Sequence, residues 1–161
     1  MINILFWQLK VNAYQQLNNK EQILLTLEDW KKTNPYHLEA IVYLAEHYAK
    51  NRDFDRALRV INQGFEQHKN NLVLELMKIQ VLLNDQNSVE AEQLLRKIEP
   101  KIADKNIVQG IKGRIALIER KFNQASEYLA DFYQAFPTTQ NVVFYTLALK
   151  TVTKSRSLFR Y

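Results

Sequence analysis

Four sets of residues recur along this chain at a step of 34. Ala57, Ala91 and Ala125 stand 34 apart, and one more step backwards reaches Ile23. Leu27, Ile61, Leu95 and Leu129 form a second set, and Tyr14, Tyr48, Leu82 and Ala116 a third. Val11, Ala45, Ile79 and Gly113 form a fourth. A period of this length constrains the fold more tightly than composition can. Each unit has to be one supersecondary piece, too small to bury its own apolar face, that stacks against its neighbours.

Within a unit the apolar spacing is helical. Phe54, Ala57, Leu58, Val60, Ile61, Gly64 and Phe65 follow one another mostly at steps of three and four, as do Ile41, Leu44, Ala45 and Tyr48 before them. The polar run Lys50-Asn51-Arg52-Asp53 between the two stretches suits a tight helix–helix joint. Each unit is therefore expected to be a helical hairpin. Only 3 Gly and 3 Pro occur in 161 residues, too few for the turns of a β-rich or α/β fold, so the class is all-α. Hydrophobic residues make up 47% and charged residues 24%, enough for a sizeable core and unlike a disordered chain. The absence of Cys excludes a disulfide framework and any thiolate metal site.

At these residues the chain resembles the tetratricopeptide repeat family, whose motif is an antiparallel pair of helices in 34 residues. The stretch 38–71 carries the resemblance best, through Leu44-Ala45, Tyr48, Asp53-Phe54, Ala57-Leu58 and Gly64, with Lys69 where the family often has Pro. The stretch 106–139 follows through Gly113-Arg114, Phe122, Ala125, Phe132 and Pro137, and the divergent stretch 4–37 keeps Trp7, Tyr14, Trp30 and Pro35. The stretch 72–105 keeps Ala91 and Leu95, but Glu75 and Lys78 fall where apolar residues are expected. A one-residue slip of its first helix would bring Leu76, Ile79 and Leu83 inward instead. The resemblance implies one domain over 1–161, an α-α superhelix of about four and a half hairpins, with a capping helix over 140–155.

In that family the first helices line a concave face and supply most ligand contacts. Carried over position by position, the resemblance puts Leu5, Gln8, Leu9 and Asn12 inward, then Glu39, Val42, Tyr43 and Glu46, then Val73, Leu76, Met77 and Gln80. Ile107, Gly110, Ile111 and Arg114 follow, and finally Phe144 and Tyr145. The set is mainly apolar and suits an amphipathic helix or an extended apolar segment of a protein partner, with Tyr43, Met77 and Phe144 as anchors. The clamp with which some members grip acidic chaperone tails is not matched: Asn12 and Arg114 are present, but Glu39, Tyr43, Val73 and Met77 replace its other residues.

The ends of the array are apolar. Ile2, Ile4, Leu5, Phe6 and Trp7 crowd the start, and Val142, Val143, Phe144, Leu147 and Leu149 begin a last helix trailed by Leu158, Phe159 and Tyr161. A capping helix is the preferred reading, with a homodimer through these ends, or a longer array, as the competing ones. The net charge of +5 is spread along the chain, and its densest basic group, Lys150, Lys154, Arg156 and Arg160, reads as a solvated helix end. No leader peptide and no apolar run of membrane-spanning length is evident, so the cytoplasm is the expected compartment, or the cell envelope for a piece of a longer chain.

No reaction is expected. His37, His47 and His68 show no i, i+4 pair, so neither a metal nor another cofactor is anticipated. Glu39 and Glu46 lie two helical turns apart with no acid–base machinery around them, and Gly110-Ile111-Lys112-Gly113 matches a nucleotide-clamping loop in a stretch that reads as helix. The expected role is a scaffold or adaptor that binds a peptide or partner helix, such as an assembly factor for a larger complex. An RNA-binding helical-repeat protein, or the repeat segment of a larger enzyme or secretion machine, is the alternative; the apolar inward set argues against nucleic acid.

Overall fold

A computed structural model describes the backbone of residues 4–158 and the side chains of 4–151. The expectations placed on Ile2, Lys154, Arg156, Leu158, Phe159, Arg160 and Tyr161 lie outside those side chains. Among the described residues there are helices and no strands: α1 (Ile4–Gln16), α2 (Lys20–Thr33), α3 (Leu38–Lys50), α4 (Phe54–Gln67), α5 (Leu72–Asn84), α6 (Ser88–Ile98), α7 (Lys105–Ile118), α8 (Phe122–Ala135) and α9 (Thr139–Leu158). Joins of three residues force each pair α1–α2, α3–α4, α5–α6 and α7–α8 to turn back on itself. The result is an all-α chain of repeated helical hairpins.

The repeat is built into the turns. Asn18, Arg52, Gln86 and Arg120, each 34 residues from the next, adopt left-handed backbone with φ of 50°, 63°, 61° and 60°. The next residue's N–H then reaches back to the carbonyl of Tyr14, Tyr48, Leu82 or Ala116, at 3.0, 2.9, 2.9 and 2.8 Å. That bond closes the last turn of each first helix and satisfies a carbonyl that would otherwise lack a partner. The same residue opens the second helix. Asn19, Asp53 and Asn87 each accept the N–H three residues on, from Gln22 at 3.1 Å, Arg56 at 3.2 Å and Glu90 at 3.2 Å. Lys121 holds the equivalent place without a side-chain cap. No glycine is used in these turns; all three glycines lie within helices.

The chain forms two compact units, residues 1–81 and 82–161, with the boundary inside α5. In the first unit one core cluster joins Trp7 and Val11 of α1, Leu27 and Trp30 of α2, Ile41, Leu44 and Ala45 of α3, Ala57 and Ile61 of α4, and Leu74 and Val81 of α5. An aromatic column crosses three helices: Trp7 stacks on Trp30 with centroids 6.3 Å apart and planes 4° apart, and Trp30 meets Tyr43 at 5.6 Å. Trp30 is fully buried, so Trp30→Ala would empty a large site and cost about 3–5 kcal/mol.

In the second unit Ala116, Ala125, Leu129 and Ala148 are buried together, with Leu117, Phe132, Phe144 and Tyr145 packed around them. Glycines let α7 and α8 meet closely. A methyl at Gly110 would lie 2.6 Å from the Phe132 ring, and one at Gly113 would lie 2.6 Å from Leu129 Cγ. The last helix, α9, lies on this hairpin through Phe144, Tyr145 and Ala148, as a cap would.

Two details depart from the sequence reading. The first helix of 72–105 does not slip: α5 starts 34 residues after α3, Ile79 and Leu82 are fully buried in the original frame, and Glu75 is buried at 3% exposure. The regular turn at Gln86 pins the register, so the carboxylate is carried inside rather than rotated out. The second departure is at Pro100. There α6 stops at Ile98, passes into a short 3-10 turn over Glu99–Lys101, and α7 begins at Lys105, one residue before the expected 106. A proline ring supplies no N–H and disfavours helical backbone in the residue before it.

Candidate interaction surface

The first helices of the first unit present mixed faces. On α1, Leu5 and Leu9 are one turn apart and are exposed at 56% and 59%, with Asn12 also exposed beyond them. On α3, Val42 and Tyr43 are half-buried against the core cluster, and Glu39 and Glu46 stand exposed to either side. Each glutamate has a local cationic partner: His37 Nδ1 lies 2.8 Å from Glu39, and Lys50 Nζ lies 3.0 Å from Glu46. On α5, Val73 and Gln80 are exposed while Leu76 and Met77 are half-buried, Met77 against the core cluster.

Tyr43 and Met77 therefore spend part of their apolar surface inside the fold. The apolar groups that remain open to a visitor are Leu5, Leu9 and Val73, together with Phe6, which is 49% exposed and edges onto Trp7 at 5.5 Å. Phe6 was not among the expected contacts. Its signal was present, because a helix with apolar residues at five successive positions but for one Gln cannot hide them all on one side.

In the second unit Ile107 and Ile111 are half-buried on α7, and Tyr145 stacks on Tyr133 with centroids 5.7 Å apart. Arg114 and Phe144, 30 residues apart, meet: the guanidinium carbon sits 5.0 Å above the ring. Arg114 Nη2 also donates to Asn84 Oδ1 at 2.8 Å. Burial pulls the Arg114 pKa down to about 10, which still leaves the group charged at neutral pH.

Elsewhere the charges are matched. A cleft of about 350 Å³ on the second unit is lined by Glu92, Glu99 and Glu119 with Arg96, Lys112 and Lys121. They pair at 2.8, 2.8 and 2.7 Å, which leaves the cleft no net charge. On the first unit, burial and then the bond from its own hydroxyl to Glu28, at 2.9 Å, raise the Tyr48 pKa. Among the described residues no group of three His, Asp or Glu could hold a metal ion, and no helix is long and apolar enough to cross a membrane. Compared with known proteins, the chain matches no family model and no curated relative.

Proposed function

We propose that this chain is a helical-repeat interaction module of tetratricopeptide type, which holds a segment of another polypeptide against the first helices of its first unit. The observation that carries this reading is the open apolar set of Leu5, Phe6 and Leu9 on α1 with Val73 on α5. Large apolar side chains left in water at equivalent places of successive hairpins favour a partner that covers them. Glu39 and Glu46 border the same positions on α3, and their exposed ion pairs are weak enough to exchange for a partner's cations. The segment that fits best is therefore apolar with basic flanks, as an amphipathic helix or as extended chain.

The test compares proteins captured by the intact chain with those captured by Leu9→Asp plus Val73→Asp. Both positions are exposed, so circular dichroism should be unaltered. A partner set lost at least tenfold in the double variant supports the surface. An identical set recovered by both chains sinks it.

A further inference from the structure

We propose that the second unit carries a separate receptor for a small amphiphile, in which Arg114 engages a carboxylate headgroup and an apolar cleft takes the tail. The cleft has a volume of about 590 Å³, within the range of small-molecule sites. Its apolar wall is Leu83, Leu117, Ile118, Phe122, Phe144 and Leu147. The polar lining is Arg114 and Arg120 with Gln86 and Thr151, and no Asp or Glu is among the lining residues. This cleft thus carries two positive charges in an apolar setting, where the neighbouring charged cleft balances three acids with three bases.

That contrast selects the ligand. A guanidinium moved out of water loses solvation, and an anion entering beside it gains more than it would at the open surface. Arg114 is also aimed in advance. Phe144 beneath its plane and Asn84 on Nη2 hold the fork, which lowers the entropy lost when a carboxylate pairs with it. Neither holding group is an anion, so both can remain in place when the ligand arrives. The wall residues come from α5, α7, α8 and α9, and their mixture of aliphatic and aromatic side chains would accept a flexible alkyl tail without demanding a fixed shape. A headgroup of negative charge on an apolar body is the chemistry this lining complements.

The test is titration of the whole chain with decanoate below its micelle concentration, followed by amide chemical shifts. Saturable shifts centred on Leu147 and Thr151 are expected, with decanol binding more weakly by roughly tenfold or more because it brings no charge. Arg114→Gln should weaken decanoate by roughly ten- to a hundredfold while leaving decanol unchanged. Leu147 is 53% exposed, so Leu147→Asp keeps the fold testable if Arg114→Gln does not fold, and it should abolish binding of both probes. Decyl phosphate separates a carboxylate site from a general anion site; tighter binding of the phosphate would overturn the headgroup assigned here. Equal affinity for decanol and decanoate, or shifts centred on Leu5 and Leu9 instead, would overturn the receptor altogether. The module reading above concerns the first unit and survives either result.

Discussion

In the hairpin α3–α4 the glycine lies on the second helix: Gly64 nestles under Ile41 and Leu74, and Val42 faces it in the repeat frame. In the hairpin α7–α8 the glycine moves to the first helix as Gly110, and Phe132 stands where Gly64 would be. The next layer differs in the same sense, with Ala45 and Ile61 in one hairpin against Gly113 and Leu129 in the other. Two helices can thus be brought together by trimming either one, provided the partner grows to fill the space. The hairpins differ in tolerance, however. A methyl on Gly64 meets the mobile methyl ends of Ile41 and Leu74 at 3.0 Å, whereas one on Gly110 meets three atoms of a ring at 2.6–2.7 Å.

The largest expected effect follows from that difference. Gly110→Ala should destabilise α7–α8 by about 1–3 kcal/mol, because the Phe132 ring cannot step aside without disturbing the core around it. Gly64→Ala should change stability by less than about 0.5 kcal/mol, because the steric cost there is offset by the ~1 kcal/mol that alanine gains over glycine in a helix. Native-state hydrogen exchange reads each hairpin separately, which a single melting curve over two units would not. If both alanine variants cost the same, the idea of unequal seams fails. A partial recovery of Gly110→Ala by Phe132→Leu would sharpen it, since contacting sites should couple.

A smaller effect separates the turns. Asp53 caps α4 through the Arg56 N–H, while Lys121 gives α8 no side-chain cap. Lys121→Asn should stabilise α7–α8 by about 1 kcal/mol, and Asp53→Ala should cost α3–α4 about the same. The Lys121–Glu119 pair lost in the first variant is largely exposed and subtracts little. No change on Lys121→Asn would mean that the uncapped N–H groups of α8 are already well solvated. Below this comes the left-handed residue itself: Arg120→Gly should add about 0.5 kcal/mol by relieving backbone strain, net of glycine's greater freedom when unfolded. Asn18→Gly should add less, because asparagine tolerates that backbone better than arginine does.

These contrasts also explain what could be read in advance. The hairpins were legible because packing of small and aliphatic residues at a seam repeats with the seam; Ala57, Ala91 and Ala125 are all fully buried, as are Ile61 and Leu129. The left-handed turn residues were not, because Arg52, Gln86 and Arg120 carry none of the glycine signal that marks such backbone. Glu75 was misread for a related reason. Its charge argues for the surface, and only the pinned turn after α5 keeps it inside. Of the candidate contacts, helix position was legible but the share of each side chain left open was not, since Tyr43 is claimed by Trp30 and Arg114 by Phe144 only once distant helices pack.

The smallest effect is one of pH, and it too distinguishes the two hairpins. His47 on α3 occupies the place that Ile115 holds on α7. Burial first, and then the positive charge of Lys50, lower its pKa below the ordinary 6.5, with Lys20 adding to the effect and Glu28 opposing it. Because the folded hairpin resists the proton, the unfolded chain binds it first as pH falls through 6.5. Stability contributed by neutral His47 is therefore complete above that value, and is lost on acidification until the folded pKa is passed. Amide exchange in α3–α4 should accelerate between pH 7 and pH 5, after correction for intrinsic rates, by more than in α7–α8. His47→Ile should remove that excess while leaving α7–α8 as it was. Should the excess persist in His47→Ile, another titrating group governs the hairpin, and the difference between the two is one of packing alone.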